Sequence, residues 1–233
     1  MKRQAEGEIM DIPAEAEAYA QADFADVNQA FVDRLLELAA GMDNIRALDL
    51  GTGPADIPVR LLKTLRARSG AAGKASWRIT AVDGSRPMLE HAAKLVEQAG
   101  MADDIILRYA DAKNTGLPAK SFDVVFSNSI LHHLTETAAF WAEIKRVAKP
   151  AAVIFLRDLA RPADEQEARR IVDKYAGTAS NILWDEYFRS LLAAYTVDEV
   201  RRQLAQAGLS PQLSVRMATD RHLDVWGRLN AGQ

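Results

Sequence analysis

The sequence predicts an α/β fold built on a mostly parallel sheet, and three observations predict it. Short apolar runs over residues 47–50, 79–82, 105–109, 124–126 and 152–156 alternate with amphipathic stretches long enough for helices. The first run ends in Gly51-Thr52-Gly53-Pro54, a glycine turn that joins a strand to a helix start. The strands close on acidic or small polar residues (Asp83, Asp111 and Ser127-Asn128-Ser129), suited to a polar ligand at the sheet's carboxyl edge.

Composition bounds the remaining choices. A chain of 233 residues, 48% hydrophobic and 26% charged, is long enough for one domain with a sizeable core. It shows no internal repeat and no linker. A net charge of −3 gives no general pull toward nucleic acid. The lack of cysteine excludes disulfides, thiolate metal sites and cysteine nucleophiles. Lys2 and Arg3 precede no apolar core, and no run is long enough to span a bilayer, so a cytoplasmic location is expected.

Residues 11–40 read as two helices. Pro13 opens the first, which runs to about Ala22. The second sets Val27, Ala30, Phe31, Leu35, Leu36 and Leu38 on one stripe. Asp23 reads as a cap between them, with Tyr19 and Phe24 at the junction. Beyond the glycine turn, Pro58 fits a first helical turn, and Val59, Leu62 and Leu65 continue inward. Residues 69–76 read as a loop. Ser85 and Pro87 open a helix with Met88, Ala92, Leu95 and Val96 inward. Thr135 leads another, with Trp141, Ile144 and Val147 inward and Lys149-Pro150 closing it. Thr196-Val197-Asp198-Glu199 is a capping box. Residues 213–217 and 223–229 bring the strands to seven, the direction of the last left open.

Two stretches carry chemistry. The first is Asp49-Leu50-Gly51-Thr52-Gly53-Pro54-Ala55-Asp56. A dinucleotide fingerprint wants glycine where Asp56 stands. The second is Phe122-Asp123-Val124-Val125-Phe126-Ser127-Asn128-Ser129-Ile130-Leu131-His132-His133-Leu134. Together they resemble class I S-adenosylmethionine-dependent methyltransferases. The first is similar to motif I, Asp/Glu-x-Gly-x-Gly, with Ala55 in place of the frequent third glycine. The second is similar to motif IV of the small-molecule branch, where Phe-Asp-x-Val precedes a polar segment and Leu-His-His-Leu. Pro150-Ala151-Ala152 departs from the usual Pro-Gly-Gly. Asp158-Leu159-Ala160-Arg161-Pro162 resembles the Asp-Leu-x-Arg-Pro of a subset of small bacterial members. The resemblance covers roughly residues 15–160.

It implies a Rossmann-like three-layer αβα sandwich, S-adenosyl-L-methionine as cofactor and a small-molecule methyl acceptor, with S-adenosylhomocysteine as product. It further implies that Asp49, Gly51 and Gly53 hold the cofactor's amino-acid part and that Asp83, followed by Gly84, takes the ribose. Asp111 and the Ala112 N–H would meet the adenine, Asn128 would border the reacting centre, and Tyr19 would line the site. Read from the residues alone, Asp83 and Asp111 also fit plain turns.

His132 and His133 are candidate catalytic residues, one of them as a general base; packing beside the cofactor is the alternative. Adjacent residues on a helix diverge, and no further ligand completes a shell, so no metal is expected. After the fifth strand, residues 163–195 form a two-helix insert. Ala168, Ile171, Val172 and Tyr175 mark its first helix. Trp184, Tyr187, Phe188, Leu191, Leu192 and Tyr195 share one face of the second. That face is either core or a substrate lid, with Trp184, Tyr187, Phe188 and Arg161 shaping the acceptor pocket. Asp56 argues against a nicotinamide oxidoreductase. The acidic balance and the lack of an Asn/Asp-Pro-Pro-Tyr/Phe motif argue against a nucleic-acid methyltransferase. A non-catalytic cofactor-binding subunit stays open.

Overall fold

The computed structural model describes residues 1–69, 77–177 and 180–230. Seven strands form one sheet: β1 (Arg46–Leu50), β2 (Arg78–Asp83), β3 (Ile105–Tyr109), β4 (Phe122–Asn128), β5 (Ala148–Leu159), β6 (Leu213–Met217) and β7 (His222–Arg228). Their order is β3-β2-β1-β4-β5-β7-β6. The first five run parallel, and β7 is antiparallel to both its neighbours, β5 and β6. This is the Rossmann-like αβα sandwich expected, with the last strand reversed. Residues 70–76, most of the predicted loop, lie outside the described residues.

Strand β1 is central because both its faces are apolar and covered: Ala47, Leu48 and Leu50 are fully buried. On one side, α2 (Ala25–Leu38), α3 (Asp56–Ser69) and α4 (Arg86–Gln98) cover the sheet. There the Phe31 ring stacks on Phe155 at 4.6 Å. On the other, α5 (Thr137–Val147) and α8 (Val197–Gln206) pack Phe140, Trp141 and Leu204 against it. Helix α1 (Pro13–Gln21) precedes α2, and α6 (Glu165–Ala176) with α7 (Asn181–Ala193) forms the insert around its own small core of Ala168, Val172 and Leu191. Among the described residues no helix is long and apolar enough to cross a membrane.

Three local expectations change. Thr135 does not lead α5, which begins at Thr137 with Glu136 before it; the Thr135 N–H and hydroxyl instead bond Glu8 at 3.0 and 2.6 Å. Lys149 and Pro150 belong to β5, not to a helix end. The turn there keeps its left-handed residue without glycine, since Ala151 has φ +62°. Asp23 accepts the Ala25 N–H at 3.0 Å one residue ahead of the formal cap, Phe24. The Ser85 cap and the Thr196/Glu199 capping box form as expected.

Candidate active site

A cavity of about 1110 Å³ opens at the carboxyl edge of the sheet, where strand order reverses between β1 and β4. The glycine turn forms one wall. Gly51 and Thr52 both donate to the Val82 carbonyl, at 2.8 and 2.9 Å, which folds the turn back over β2. Gly51 has φ +74°, and a Cβ there would come within 2.6 Å of Ile130, so only glycine fits. Ala55 has φ +65°, which explains why glycine is frequent at this position in motif I.

Two carboxylates lie beneath the turn. Asp83 accepts the Gly53 N–H at 2.7 Å and the Ser85 N–H at 2.8 Å, so it braces the turn and the start of α4 together. Burial pushes its carboxyl up, and these N–H bonds oppose the shift. Asp49 is buried at 2% exposure, and its Oδ2 has no hydrogen-bond partner. Burial, reinforced by the Asp83 charge, pushes Asp49 up to about 7. An orphan carboxylate oxygen facing a cavity is where a cationic or N–H-bearing ligand group is stabilised. These residues therefore fit the amino-acid part of S-adenosylmethionine.

The other residues expected around the cofactor, Tyr19, Gly84, Asp111, Ala112 and Asn128, line the same cavity. The Tyr19 ring lies against Phe24, centroids 5.0 Å apart, and burial holds its phenol up at about 12. Asn128 donates to Asn28, and Asn28 donates to Asp56 at 2.8 Å. Arg60 grips the same Asp56 carboxylate through two nitrogens. Asp56 is thus neutralised and fixed where a dinucleotide site needs a bare backbone.

His132 and His133 follow β4 on a short 3₁₀ turn, Leu131–His133, not on an α-helix. This overturns the argument that they diverge, because their rings pack at 4.2 Å between centroids. His132 Nδ1 meets Asp158 Oδ1 at 2.5 Å, and the Leu131 and Leu159 N–H groups also donate to Asp158. Burial works against charge on His132, yet Asp158 and Glu6 hold its pKa above the ordinary imidazole value. His133 goes the other way. Burial and the neighbouring His132 charge push it down to about 3.

Residues 1–12 form no helix or strand and cross this edge as a strap. Arg3 donates to the carbonyls of Ala193 and His132, at 2.6 and 2.7 Å, and the Gln4 N–H donates to Leu192 at 3.0 Å. Glu6 sits between the two histidines and Ser190. Glu8 pairs with Lys113, and the Lys113 and Thr135 donors hold its carboxyl down at about 2. The Met10 carbonyl accepts the Ser85 hydroxyl at 2.7 Å.

The insert supplies the far wall, where Tyr187 lines the cavity with Tyr175, Leu183, Arg221 and His222. The Arg221 guanidinium stands 3.3 Å from the Tyr175 ring centroid. Burial, with the Arg221 and Arg157 charges, pushes His222 down to about 4. Three expected acceptor residues are not here. Arg161 is turned away, bonded to Glu199 at 2.6 Å and to the Ala194 carbonyl, where it ties the end of α7 to the cap of α8. Trp184 and Phe188 stack on each other and face α6, with Trp184 donating to Asp173 and Arg169 over the Phe188 ring. Helix α7 turns one side to the cavity and these two aromatics to its neighbour.

No sequence pattern marks Glu6, Glu8 and Met10, which sit in a segment without periodicity, or Arg221, which lies in a turn. Asp158 was in view within the Asp-Leu-x-Arg-Pro run and carried no assigned role.

A family model described as a methyltransferase domain matches residues 48–156, which hold the glycine turn, Asp83, Asp111 and the histidine pair. Residues 48–156 are thus similar to a methyltransferase domain. It is 27% identical over 187 residues to the 27-O-demethylrifamycin SV methyltransferase of Amycolatopsis mediterranei, covering 77% of this chain and 60% of that protein. It is 32% identical over 119 residues to the demethylmenaquinone methyltransferase of Lactiplantibacillus plantarum, covering 51% of this chain and 47% of that one. The chain thus spans less than two thirds of either relative's length. Among solved structures, a SAM-dependent methyltransferase from Aquifex aeolicus superposes with a TM-score of 0.65 at 20% identity, covering 93% of this chain and 98% of that one. The (4+2)-cyclase SpnF superposes with a TM-score of 0.61 at 14% identity over the full length of both. At these identities the likeness concerns the fold alone.

Proposed function

We propose that this protein is a class I methyltransferase that moves a methyl group from S-adenosylmethionine to a small-molecule acceptor, and that residues 1–233 act as a single domain. When bound, the cofactor supplies a methyl group already activated on a sulfonium. The observation that carries the reading is one continuous cavity lined by Asp49 and the glycine turn, by His132, and by Leu183 and Tyr187 of the insert. Both curated relatives are named for small-molecule acceptors, and the chain's net charge of −3 favours the same class over nucleic acid.

This chain's residues have three tasks in that reaction. Asp49, Gly51 and Gly53 hold the amino-acid part, and Asp83, Gly84, Asp111 and Ala112 take the nucleoside. Tyr187 and its neighbours confine the acceptor so that its nucleophile faces the methyl and water is excluded. His132, oriented through Nδ1 by Asp158, takes the acceptor's proton at Nε2 when that nucleophile carries one. A cytoplasmic location belongs to the same proposal, and cell fractionation tests it. Calorimetry with S-adenosylmethionine, followed by a screen of small acceptors with methyl-labelled cofactor, tests the function. Tight binding with label transferred to an acceptor is expected. Failure to bind S-adenosylmethionine would reject the proposal. Binding without transfer, even with a broad acceptor panel and added partner fractions, would favour a non-catalytic role.

A further inference from the structure

The strap brings Glu6 to the two histidines, and the three side chains offer one carboxylate oxygen and two imidazole nitrogens. Glu6 Oε1 lies 3.5 Å from His132 Nε2 and 3.2 Å from His133 Nδ1. All three atoms fall within 4.8 Å of one another. A tetrahedral shell with metal–ligand bonds of about 2.0–2.1 Å has edges of about 3.3–3.4 Å. The two separations to Glu6 bracket that edge, and the longer one exceeds a hydrogen bond.

The surroundings match as well. His132 turns Nδ1 to the Asp158 carboxylate, which leaves Nε2 pointing at Glu6; a carboxylate behind the ring is the usual support for a ligating imidazole. The Gly7 carbonyl accepts the His133 Nδ1 proton at 3.1 Å, so ion binding there takes the other tautomer of His133 and leaves that carbonyl oxygen beside the ion. The cluster borders the cavity, which gives an ion a path in. Imidazole nitrogens with a carboxylate select a first-row ion of the zinc type over magnesium or calcium.

We propose that Glu6, His132 and His133 bind a single zinc-type divalent ion, which clamps the N-terminal strap to the turn after β4. The ion and a transferred proton compete for the same Nε2 lone pair, so the clamped form and the proton-accepting form are alternatives; this clause rests on the role proposed for His132, and the site itself does not.

The test uses the full-length, tag-free protein, stripped with a chelator, without cofactor or acceptor. Titration with Co²⁺ should give saturable visible absorption of the tetrahedral kind, and Zn²⁺ should displace it at one ion per chain. Glu6→Gln and His133→Gln should each abolish the band, while His91→Gln, remote from the cluster, should keep it. Asp158→Asn should weaken binding about 10–100-fold. Glu6 lies in a segment without secondary structure, so its variant keeps the fold, and circular dichroism verifies that. No saturable binding by the wild type, or binding unchanged in both Glu6→Gln and His133→Gln, would overturn the site. Because no methyl transfer is measured, either result stands apart from the proposed activity.

Discussion

The Asp83 carboxylate accepts the Gly53 N–H at 2.7 Å, so the acid that ends β2 holds in place the glycine turn that ends β1. Asp83→Ala therefore removes more than a ligand contact. It leaves the Gly53 and Ser85 N–H groups without their acceptor, each at a cost of about 1–3 kcal/mol where water cannot replace it. The variant should melt lower and bind S-adenosylmethionine more weakly. Asp83→Asn, which keeps one carbonyl oxygen, should recover part of the melting loss. Calorimetry and thermal melts on the same preparations check both; an unchanged melting temperature would contradict the bracing role.

Burial pushes the Asp49 carboxyl up to about 7, and its Oδ2 is unpartnered. A cationic group of the cofactor prefers the ionised carboxylate, so affinity should rise with pH through about 7 and level off above it. Asp49→Asn should bind more weakly at pH 8 and lose this dependence. Isothermal titration across pH 6–8 reads it out.

The His132–Asp158 pair sets the pH profile of turnover. A base must be neutral to accept a proton, and Asp158 holds the His132 pKa above the ordinary imidazole value. Turnover should thus rise with pH through a limb above about 6.5. Asp158→Asn should move that limb to lower pH, and His132→Gln should lower turnover about 10²–10⁴-fold with cofactor affinity nearly intact. A profile unchanged in Asp158→Asn would leave alignment alone as the source of rate.

Within α7, neighbouring aromatics should separate cleanly. Tyr187→Ala should raise the acceptor KM with little change in cofactor affinity, because Tyr187 lines the cavity. Phe188→Ala should instead lower the melting temperature, because Phe188 stacks on Trp184 beneath the Arg169 guanidinium. Kinetics and melts of both variants decide the matter.

The His222 contribution to stability should fall on mild acidification, while Asp49, whose pKa burial raises, acts in the opposite direction. His222 has a folded pKa of about 4, below its unfolded value of about 6.5, so the unfolded chain takes up a proton that the folded one refuses. The resulting loss begins near pH 6.5 and is complete near pH 4. His133, at about 3, acts in the same direction. His222→Gln should raise the melting temperature at pH 4 relative to that at pH 6.5, compared with the wild type.

What the sequence made legible follows from locality. The glycine turn, Asp83, Asp111 and the Ser85 cap are each specified by a few consecutive residues, and backbone geometry alone carries them to the carboxyl edge. Side-chain direction was harder. Trp184, Tyr187 and Phe188 share a helical face by spacing, yet that face is divided between the cavity and α6. Arg161 sits beside the active edge in sequence and turns to the caps of α7 and α8. The histidine pair was misjudged because the divergence rule holds for an α-helix and the turn is 3₁₀. Glu6 could not be paired with His132 from spacing, since 126 residues separate them.

That separation bears on how the molecule assembles. Arg3 and Gln4 bond partners about 190 residues along the chain, Ala193 and Leu192. Closing so long a loop is entropically unfavourable until the intervening elements have already folded. The strap is therefore expected to dock after β5 and α7 have met. Until then the sheet can be complete, and the far wall in place, while the cavity still lacks the side formed by Glu8 and Met10. Loop-closure entropy thus sets the strap apart from the body it covers: a chain with the strap undocked would look native by its helices and strands while its binding cleft was open.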